Sequence, residues 1–368
     1  KYIVTDACRG CVAHYCINVC PKKAITIVGR KAYIDQDKCI ECGLCSRSCQ
    51  FHAIVEVHRP CERSCPTNAI KPGPKRNSII DRSNCTSCGV CINACPFGAI
   101  TDKSQIISII KWLNQGDEVV AAVAPSIAGQ FGPRIELGQI FTALHKLGFS
   151  DTAEVAVGAD IVAELDAKEF EKLVDEKGWV ASSCCPAFVN LIKNAFPQLE
   201  DHIVDTPSPM IVLARELKKQ NPNRKVVFIG PCIAKKEEAL TPNSQVDAVL
   251  SFEELRAMLA AKEIDLKKLK NAEPTEGVGS KWGRGFAISG GVGDAVVEFH
   301  KELKGEKEIK LVKANGLDEC KKLLALADSG NLSGNFLEGM ACKGGCVGGP
   351  VSVVTERIGA QAVKKLLR

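Results

Sequence analysis

Beyond residue 100, the apolar positions of the chain follow two patterns that alternate. Short uninterrupted apolar runs at 118–124, 179–181 and 225–229 predict buried strands. Segments with apolar positions three and four residues apart, at 135–144 and 317–324, predict amphipathic helices. Strands and helices in alternation are typical of an α/β domain.

Each of the three predicted strands runs into a short turn that precedes a predicted helix. Ligands of open α/β sheets collect outside the carboxyl ends of the strands, so we expect a site at these turns. Two of the turns carry cysteine. The turns are Pro125-Ser126, residues 182–186 with Cys184 and Cys185, and Gly230-Pro231-Cys232.

A glycine-rich stretch at 338–350 places Cys342 and Cys346 among five glycines. Glycine lets the backbone approach a ligand closely, so the stretch predicts a bound inorganic cluster. A four-iron cluster needs two further thiolates. Cys185 and Cys232 are the candidates because they lie at strand ends, whereas Cys320 falls in an amphipathic helix and is assigned to packing.

The thiol of Cys184 has two interpretations. Neighbouring residues at a strand end point in different directions, so Cys184 is not expected to share the coordination sphere of Cys185. It is either a thiol that exchanges protons at the site or a small buried side chain.

Composition changes this picture most in the first 95 residues, which hold 14 of the 20 cysteines. They follow ferredoxin-type runs, in which the fourth cysteine of each run binds the neighbouring cluster. Zinc sites lack such three-plus-one runs ending in Cys-Pro, and disulfide scaffolds lack the repeated spacing. The three predicted ligand sets are Cys8, Cys11, Cys16 with Cys49; Cys39, Cys42, Cys45 with Cys20; and Cys85, Cys88, Cys91 with Cys65.

The second ferredoxin-like unit is incomplete. Val55 and His58 stand where its first run should have cysteines, which leaves Cys61 and Cys95 without a full set. We favour three accessory clusters, with these two cysteines as relics of a lost cluster or as buried thiols that bind no cluster. A fourth cluster that uses His58 is the alternative, and it would still lack one ligand. A loop is predicted at 71–78 within this unit.

The charge and the hydropathy of the chain argue against two kinds of binding partner, nucleic acid and membrane. The net charge of +5 is small and the lysines are dispersed, which argues against a nucleic-acid surface. No apolar run is long enough to span a bilayer, and no signal peptide opens the chain. The thiol-rich chemistry indicates a reducing, anaerobic cytoplasm.

Three motifs together resemble the signatures of FeFe-hydrogenases, in the family's order. They are Ser182-Ser-Cys-Cys-Pro186, Gly230-Pro-Cys-x2-Lys235-x2-Glu238 and Glu338-x-Met-x-Cys-x-Gly-Gly-Cys-x2-Gly-Gly349. The resemblance covers essentially the whole chain. It implies α+β ferredoxin-like iron-sulfur domains at 1–56 and 57–103, the second partly degenerate, followed by an α/β hydrogenase catalytic domain at 104–368 with the active cluster between two lobes.

The resemblance implies an H-cluster, which is a four-iron four-sulfur cluster bridged to a diiron centre with carbon monoxide, cyanide and azadithiolate ligands. Its protein ligands would be Cys185, Cys232, Cys342 and Cys346, and Cys346 would form the bridge. Cys184 would pass protons, Lys235 and Ser126 would serve the cyanides, and Met340 would pack against the diiron centre. Further cofactor contacts would come from Pro125, Gly230, Pro231, Glu238, Gly344 and Gly345.

The same resemblance implies a proton path that begins at Asp166 and Glu169, although these residues could equally form a solvated helix face. Val204 stands where the family has a serine, and a valine cannot relay a proton. Phe188, Gly230, Leu173 and Pro350 also depart from the family pattern, which indicates a divergent branch.

Two functions remain open from the sequence. The favoured function is reversible oxidation of dihydrogen to protons and electrons, with a ferredoxin-like electron carrier as partner and hydrogenase maturation proteins to build the cluster. The alternative is a non-catalytic relative, an iron-sulfur assembly or redox-sensing protein. Cys184, Lys235 and Met340 favour the enzyme because a bare four-iron cluster requires none of them.

Overall fold

The computed structural model describes residues 1–73 and 77–368, so residues 74–76 of the predicted loop lie outside the described residues. Contacts within the chain divide it into two units, Lys1–Ser64 and Cys65–Arg368. The domain boundaries after residues 56 and 103 stay predictions.

The first unit contains two short antiparallel strand pairs. Its strands are β1 (Tyr2–Val4), β2 (Ile25–Val28), β3 (Lys31–Ile34) and β4 (Ile54–Glu56), and its helices are α1 (Tyr15–Asn18), α2 (Leu44–Ser48) and α3 (Pro60–Ser64). β2 and β3 form a hairpin after the first cysteine run. The segment after the second run, β4, pairs with β1 at the beginning of the chain.

The core of the first unit is small and includes sulfur. Ile25, Ile34 and Ile54 are buried, and partly buried cysteines pack against them. A unit of this size cannot bury a large apolar core, so bound clusters would supply much of its interior.

The second unit begins with a cysteine-bearing segment and continues as an α/β domain. Its strands are β5 (Ile70–Pro72), β6 (Ser78–Ile80), β7 (Val119–Val123), β8 (Asp151–Glu154), β9 (Val180–Ala181), β10 (Lys225–Ile229), β11 (Ala248–Leu250), β12 (Leu311–Asn315) and β13 (Phe336–Met340). Its helices are α4 (Val90–Ala94), α5 (Ile106–Gln115), α6 (Leu137–Leu147), α7 (Val155–Lys177), α8 (Pro186–Ala195), α9 (Pro209–Gln220), α10 (Ile233–Glu238), α11 (Phe252–Ala261), α12 (Lys281–Gly285), α13 (Gly291–Glu302), α14 (Leu317–Asp328) and α15 (Glu356–Leu366).

Two parallel sheets organise this unit. The four-stranded sheet has the order β11–β10–β7–β8, and the three-stranded sheet has the order β12–β13–β9. All five residues of β7 are buried, as its uninterrupted apolar run predicts. The α/β fold class inferred from the sequence is confirmed.

Local signals explain the helix ends. Pro186 occupies the first turn of α8, where its missing N–H is no loss. Helix α6 begins at Leu137, two residues later than predicted, because Glu136 and Gln139 form a reciprocal cap there. None of the helices in the described residues is both long and apolar enough to cross a bilayer.

Candidate functional site

Four strands from the two sheets end at one cavity in the second unit. β7 and β10 of the larger sheet lead into Ser126 and Cys232, and β9 and β13 of the smaller sheet lead into Cys185 and Cys346. The cavity has a volume of about 80 Å³, several times what a single ordered water requires. Parallel strands thus bring distant sequence segments to a common edge, as a site between two lobes requires.

The thiols of Cys185, Cys232, Cys342 and Cys346 lie close together at this edge. Burial, with Cys185 close by, raises the pKa of Cys232 to about 11. Burial, with Cys232 and Cys185 close by, raises the pKa of Cys346 to about 12. Burial also raises the pKa of Cys342 well above its usual range, and Cys232, Cys185 and Cys346 each add to that rise. Every pair among the four thiols is therefore near enough to interact.

This donor set fits a four-iron cluster. Buried thiols with raised pKa values are neutral without a cation, and they become thiolates when metal displaces their protons. Among the described residues, no three side chains of His, Cys, Asp or Glu converge as the ligands of a single ion would. Ligands of a cubane do not converge in that way, because each sulfur binds a different iron.

A close approach of two backbones joins the glycine-rich turn to the turn after β10. A Cβ atom on Gly349 would lie 2.4 Å from the carbonyl oxygen of Pro231, a distance that no side chain tolerates. Val351 also donates a 3.4 Å backbone hydrogen bond to that oxygen. Glycine at 349 is thus needed to hold Cys346 beside Cys232.

Lys235 presents a buried ammonium group to the cavity. It donates to Glu238 Oε2 at 2.7 Å and to the backbone oxygen of Cys184 at 3.3 Å. Burial lowers its pKa but the adjacent Glu238 carboxylate outweighs this effect, so the net pKa is raised and the group stays charged. An ammonium has three N–H donors, so one remains for an anionic ligand in the cavity.

Ser126 supplies a second donor. Its side chain is fully buried, lines the cavity, and has a hydroxyl without a hydrogen-bond partner among the described residues. Buried hydroxyl groups are normally paired, so this one indicates a polar ligand group in the cavity. The unpaired hydroxyl and the thiol set together fit the H-cluster that the sequence motifs imply.

Cys184 lies in the cavity wall and would be a fifth thiol, beyond the four that a four-iron cluster requires. Its side chain is buried, and burial raises its pKa well above its usual range, with Cys185 and Asp166 adding to the rise. The thiol therefore holds its proton at neutral pH.

Other predicted cofactor contacts differ in where they lie. Pro125, Pro231 and Met340 line the cavity, whereas Gly230, Glu238, Gly344 and Gly345 lie outside its wall. Glu238 acts through Lys235, and Gly344 and Gly345 shape the turn, since the Gly344 N–H donates to Asn315 at 2.7 Å.

Several apolar residues that line the cavity were not identified from the sequence. Met210 on α9, Phe228 on β10 and Phe286 after α12 all line the cavity. Each falls in an ordinary apolar pattern, so no local signal separates these residues from core positions.

Asp166 lies in the middle of the long helix α7, on its buried side. Its carboxyl is fully buried, which overturns the alternative of a solvated helix face. Burial raises the pKa of Asp166 to about 7. Glu169, one turn further on, is half-buried and accepts the Asp205 N–H at 2.8 Å.

The accessory cysteines also gather in their predicted sets. Burial raises the pKa of Cys16, and Cys49, Cys11 and Cys8 add to it. The other two sets are Cys20, Cys39, Cys42 and Cys45, which line one small cavity, and Cys65, Cys85, Cys88 and Cys91, which interact around Cys91.

The third of these sets lies near the four clustered thiols within the same unit. Cys88 is close enough to Cys342 to raise its pKa. Asn194 of α8 donates to the carbonyl oxygen of Cys85 at 3.2 Å. The remaining pair is Cys61, buried in the first unit, and Cys95, which accepts the Ala99 N–H at 3.3 Å in the second.

Family models match most of the chain. Residues 117–350 match the iron only hydrogenase large subunit, C-terminal domain. Residues 55–106 match the LdpA Fe-S cluster-binding domain, and residues 32–55 match a 4Fe-4S binding domain.

Curated relatives include hydrogenases and an assembly factor. Iron hydrogenase 1 of Clostridium pasteurianum is 28% identical over 86% of this chain and 64% of its own length. The periplasmic [Fe] hydrogenase large subunit of Nitratidesulfovibrio vulgaris is 30% identical over 86% of this chain and 85% of its own length. The cytosolic Fe-S cluster assembly factor NAR1 of Kluyveromyces lactis is 29% identical over 36% of this chain and 29% of its own length.

Solved structures show the same fold. The chain matches apo [FeFe]-hydrogenase HydA1 from Chlamydomonas reinhardtii with a TM-score of 0.60 and 22% identity, over 72% of this chain and 89% of the other. The chain thus spans less than two thirds of the length of the Clostridium relative but most of this shorter one.

Proposed function

Because the chain belongs to the iron-only hydrogenase family, we propose that it catalyses the reversible oxidation of dihydrogen to two protons and two electrons. The observation that carries the proposal is the cavity wall, in which Cys184, Lys235, Ser126 and Met340 stand beside the four clustered thiols. When bound, the H-cluster supplies the iron centre and the base at which dihydrogen is split heterolytically.

The protein residues orient the cofactor and move protons. The ammonium of Lys235 and the hydroxyl of Ser126 donate to anionic ligand groups inside a dry pocket, where charge-assisted hydrogen bonds are strong. Cys184 holds an exchangeable proton in the cavity wall. The apolar wall of Met210, Phe228 and Met340 excludes water from the site.

Electrons would pass through the accessory clusters to or from a ferredoxin-like carrier. The proximity of Cys88 to Cys342 supports this part of the proposal, because electron transfer falls steeply with distance. Hydrogenase maturation proteins would be required to build the diiron centre. A reducing cytoplasm belongs to the same proposal, although the Nitratidesulfovibrio relative is named periplasmic.

Infrared spectroscopy tests the proposal directly. Protein loaded with four-iron clusters and then supplied with the diiron precursor should show bands of bound carbon monoxide and cyanide, and it should evolve or consume dihydrogen. Protein with a full iron complement and no such bands would contradict a hydrogenase.

The second candidate function is an iron-sulfur assembly or sensing protein that binds the four-iron cluster alone. The match to NAR1 assembly factors favours it as the alternative. In that case electron paramagnetic resonance would detect the four-iron cluster at Cys185, Cys232, Cys342 and Cys346, and the diiron precursor would not be retained. The unpaired Ser126 hydroxyl supports the enzyme, because a bare four-iron cluster offers it no cyanide.

A further inference from the structure

Two buried polar side chains near Cys184 have no hydrogen-bond partner of ordinary geometry. Both carboxyl oxygens of Asp166 and the hydroxyl oxygen of Thr206 are unpaired among the described residues. Asp166 is fully buried and Thr206 is 5% exposed. Buried polar groups in folded proteins are almost always paired, so two such groups close together require an explanation.

Asp166 and Thr206 are neighbours. The Thr206 hydroxyl lowers the pKa of the Asp166 carboxyl, an effect that only a donor at close range produces. Cys184, in the turn after β9, also interacts with this carboxyl. The carboxyl is therefore near both the thiol of the cavity wall and the Thr206 hydroxyl.

On its outer side Thr206 faces a route to solvent. It lines an open cleft of about 530 Å³ together with Asp205 and Ser208. Glu169 shares α7 with Asp166, raises its pKa by charge repulsion, and accepts the backbone N–H of Asp205, the residue before Thr206. A buried carboxyl, a hydroxyl at the wall of an open cleft, and a half-buried carboxylate bonded to the neighbouring backbone thus lie in one region.

Val204 cannot serve this purpose. It is 2% exposed and packs in the same apolar cluster as Cys184, without any group that can donate or accept a proton. Val204 and Thr206 are both buried while Asp205 between them is exposed, so residues 204 and 206 face the same side. The Thr206 hydroxyl, two residues along the chain, therefore lies on the same side as Val204. It can transfer a proton there, which the apolar Val204 side chain cannot do.

We propose that the Thr206 hydroxyl relays protons between Asp166 and Glu169. In the outward step, the O–H bond of the Asp166 carboxylic acid breaks and its proton binds Thr206 Oγ1. The original hydroxyl proton of Thr206 passes to the Glu169 carboxylate, which leaves Asp166 ionised and Thr206 neutral. No electrons move in this step, and the reverse sequence brings a proton inward.

The use of this relay rests on the proposed function, but its existence can be tested without hydrogenase activity. The carboxylic acid band of Asp166 is identified in infrared difference spectra as the band lost in Asp166→Asn. The protein carries its four-iron clusters and lacks the diiron centre. Exchange of the carboxyl proton for deuterium is then followed from the shift of that band after transfer to D2O.

Thr206→Val, which keeps the shape and removes the hydroxyl, should move the band to higher frequency and slow deuterium exchange at least about tenfold. Thr206→Ser should restore both. Thr152→Val is the matched control, because Thr152 on β8 is another buried threonine whose hydroxyl is unpaired among the described residues. It should leave the band and the exchange rate unchanged.

Wild-type exchange and an unmoved band in Thr206→Val would overturn the relay, whether or not the loaded protein turns over dihydrogen. Slow exchange in Glu169→Gln with normal exchange in Thr206→Val would overturn it too, by showing that protons bypass Thr206. Should Thr206→Val not fold, Thr206→Ala and Thr206→Ser carry the comparison, and equal exchange in these two variants would refute the proposal. In the loaded enzyme, turnover of the Thr206 variants should follow the exchange rates.

Discussion

The buried carboxyl of Asp166 should make folding stability depend on pH. Burial raises its pKa from the ordinary 3.8 to about 7. A difference of about 3 in pKa corresponds to about 4 kcal/mol between the two protonation states. Because the carboxyl is fully buried, solvent screening does not reduce this value much. Asp166→Asn replaces it with a neutral group of nearly the same shape.

The sign follows from linkage. The folded-state pKa of Asp166 lies above the unfolded value, so its contribution to stability is complete below about pH 4 and is lost as the pH rises through about 7. Asparagine does not ionise. The stability of Asp166→Asn relative to wild type should therefore increase by up to about 4 kcal/mol between pH 4 and pH 8.

Urea denaturation followed by circular dichroism measures this difference, on proteins of matched iron content at each pH. For a slope of about 3 kcal/mol per molar urea, the midpoint difference should change by about 1 M across that range. Glu171→Gln is a control of opposite sign. The hydrogen bond from His300 lowers the pKa of Glu171, so that variant should lose stability relative to wild type near neutral pH and recover as the pH falls. A midpoint difference for Asp166→Asn that is constant from pH 4 to pH 8 would refute the reasoning.

Three other variants test the cavity. Cys184→Ala should keep the carbonyl and cyanide bands while turnover falls at least about 100-fold. Cys320→Ala removes a buried thiol outside the cavity wall and should keep both the bands and the turnover. Equal turnover in these two variants would remove the relay role of Cys184. Lys235→Met leaves the Glu238 carboxylate without its buried ammonium partner, which costs about 3–5 kcal/mol. This variant should therefore have a lower melting temperature and retain less of the diiron centre. A wild-type melting temperature would show that the Lys235–Glu238 pair is not buried in solution. Gly349→Val should abolish the resonance signal of the four-iron cluster at Cys342 and Cys346 and leave the accessory signals, because its Cβ would lie 2.4 Å from a carbonyl oxygen. An intact signal would contradict the close approach.

The sequence predicted the elements whose signal is local. The buried run at Lys225–Ile229 is strand β10, and the cysteines after β9 and β10 lie at the carboxyl ends where they were expected. Ligands of parallel α/β sheets bind outside the carboxyl ends of the strands. The turns that carry cysteine after β9 and β10 were therefore sufficient to locate the site.

The parts that sequence could not predict depend on contacts between distant segments. Asp166 occurs in a charged run that resembles a solvated helix face, and only the packing around α7 buries it. The strand after the second cysteine run pairs with β1, which is about 50 residues away, because pairing partners are chosen by the whole fold. Phe228 and Met210 enter the cavity wall from elements that read as ordinary core.

Two of the departures from the family pattern, Gly230 and Pro350, are explained by their neighbours. A Cβ atom on Gly230 would lie 2.5 Å from the ring of Phe228, so a larger residue at 230 would require the phenylalanine ring to move. Phe228 instead fills that part of the cavity wall.

Pro350, at the other end of the site, is also explained by the residue that packs against it. Its ring packs against Gly89, where a Cβ atom would come within 2.6 Å, and Gly89 follows Cys88 directly. The proline thus positions the accessory cluster segment against the glycine-rich turn that carries Cys342. Gly230 and Pro350 are thus each one half of a packed pair, and a substitution that restores the usual residue at either position alone would disturb its partner.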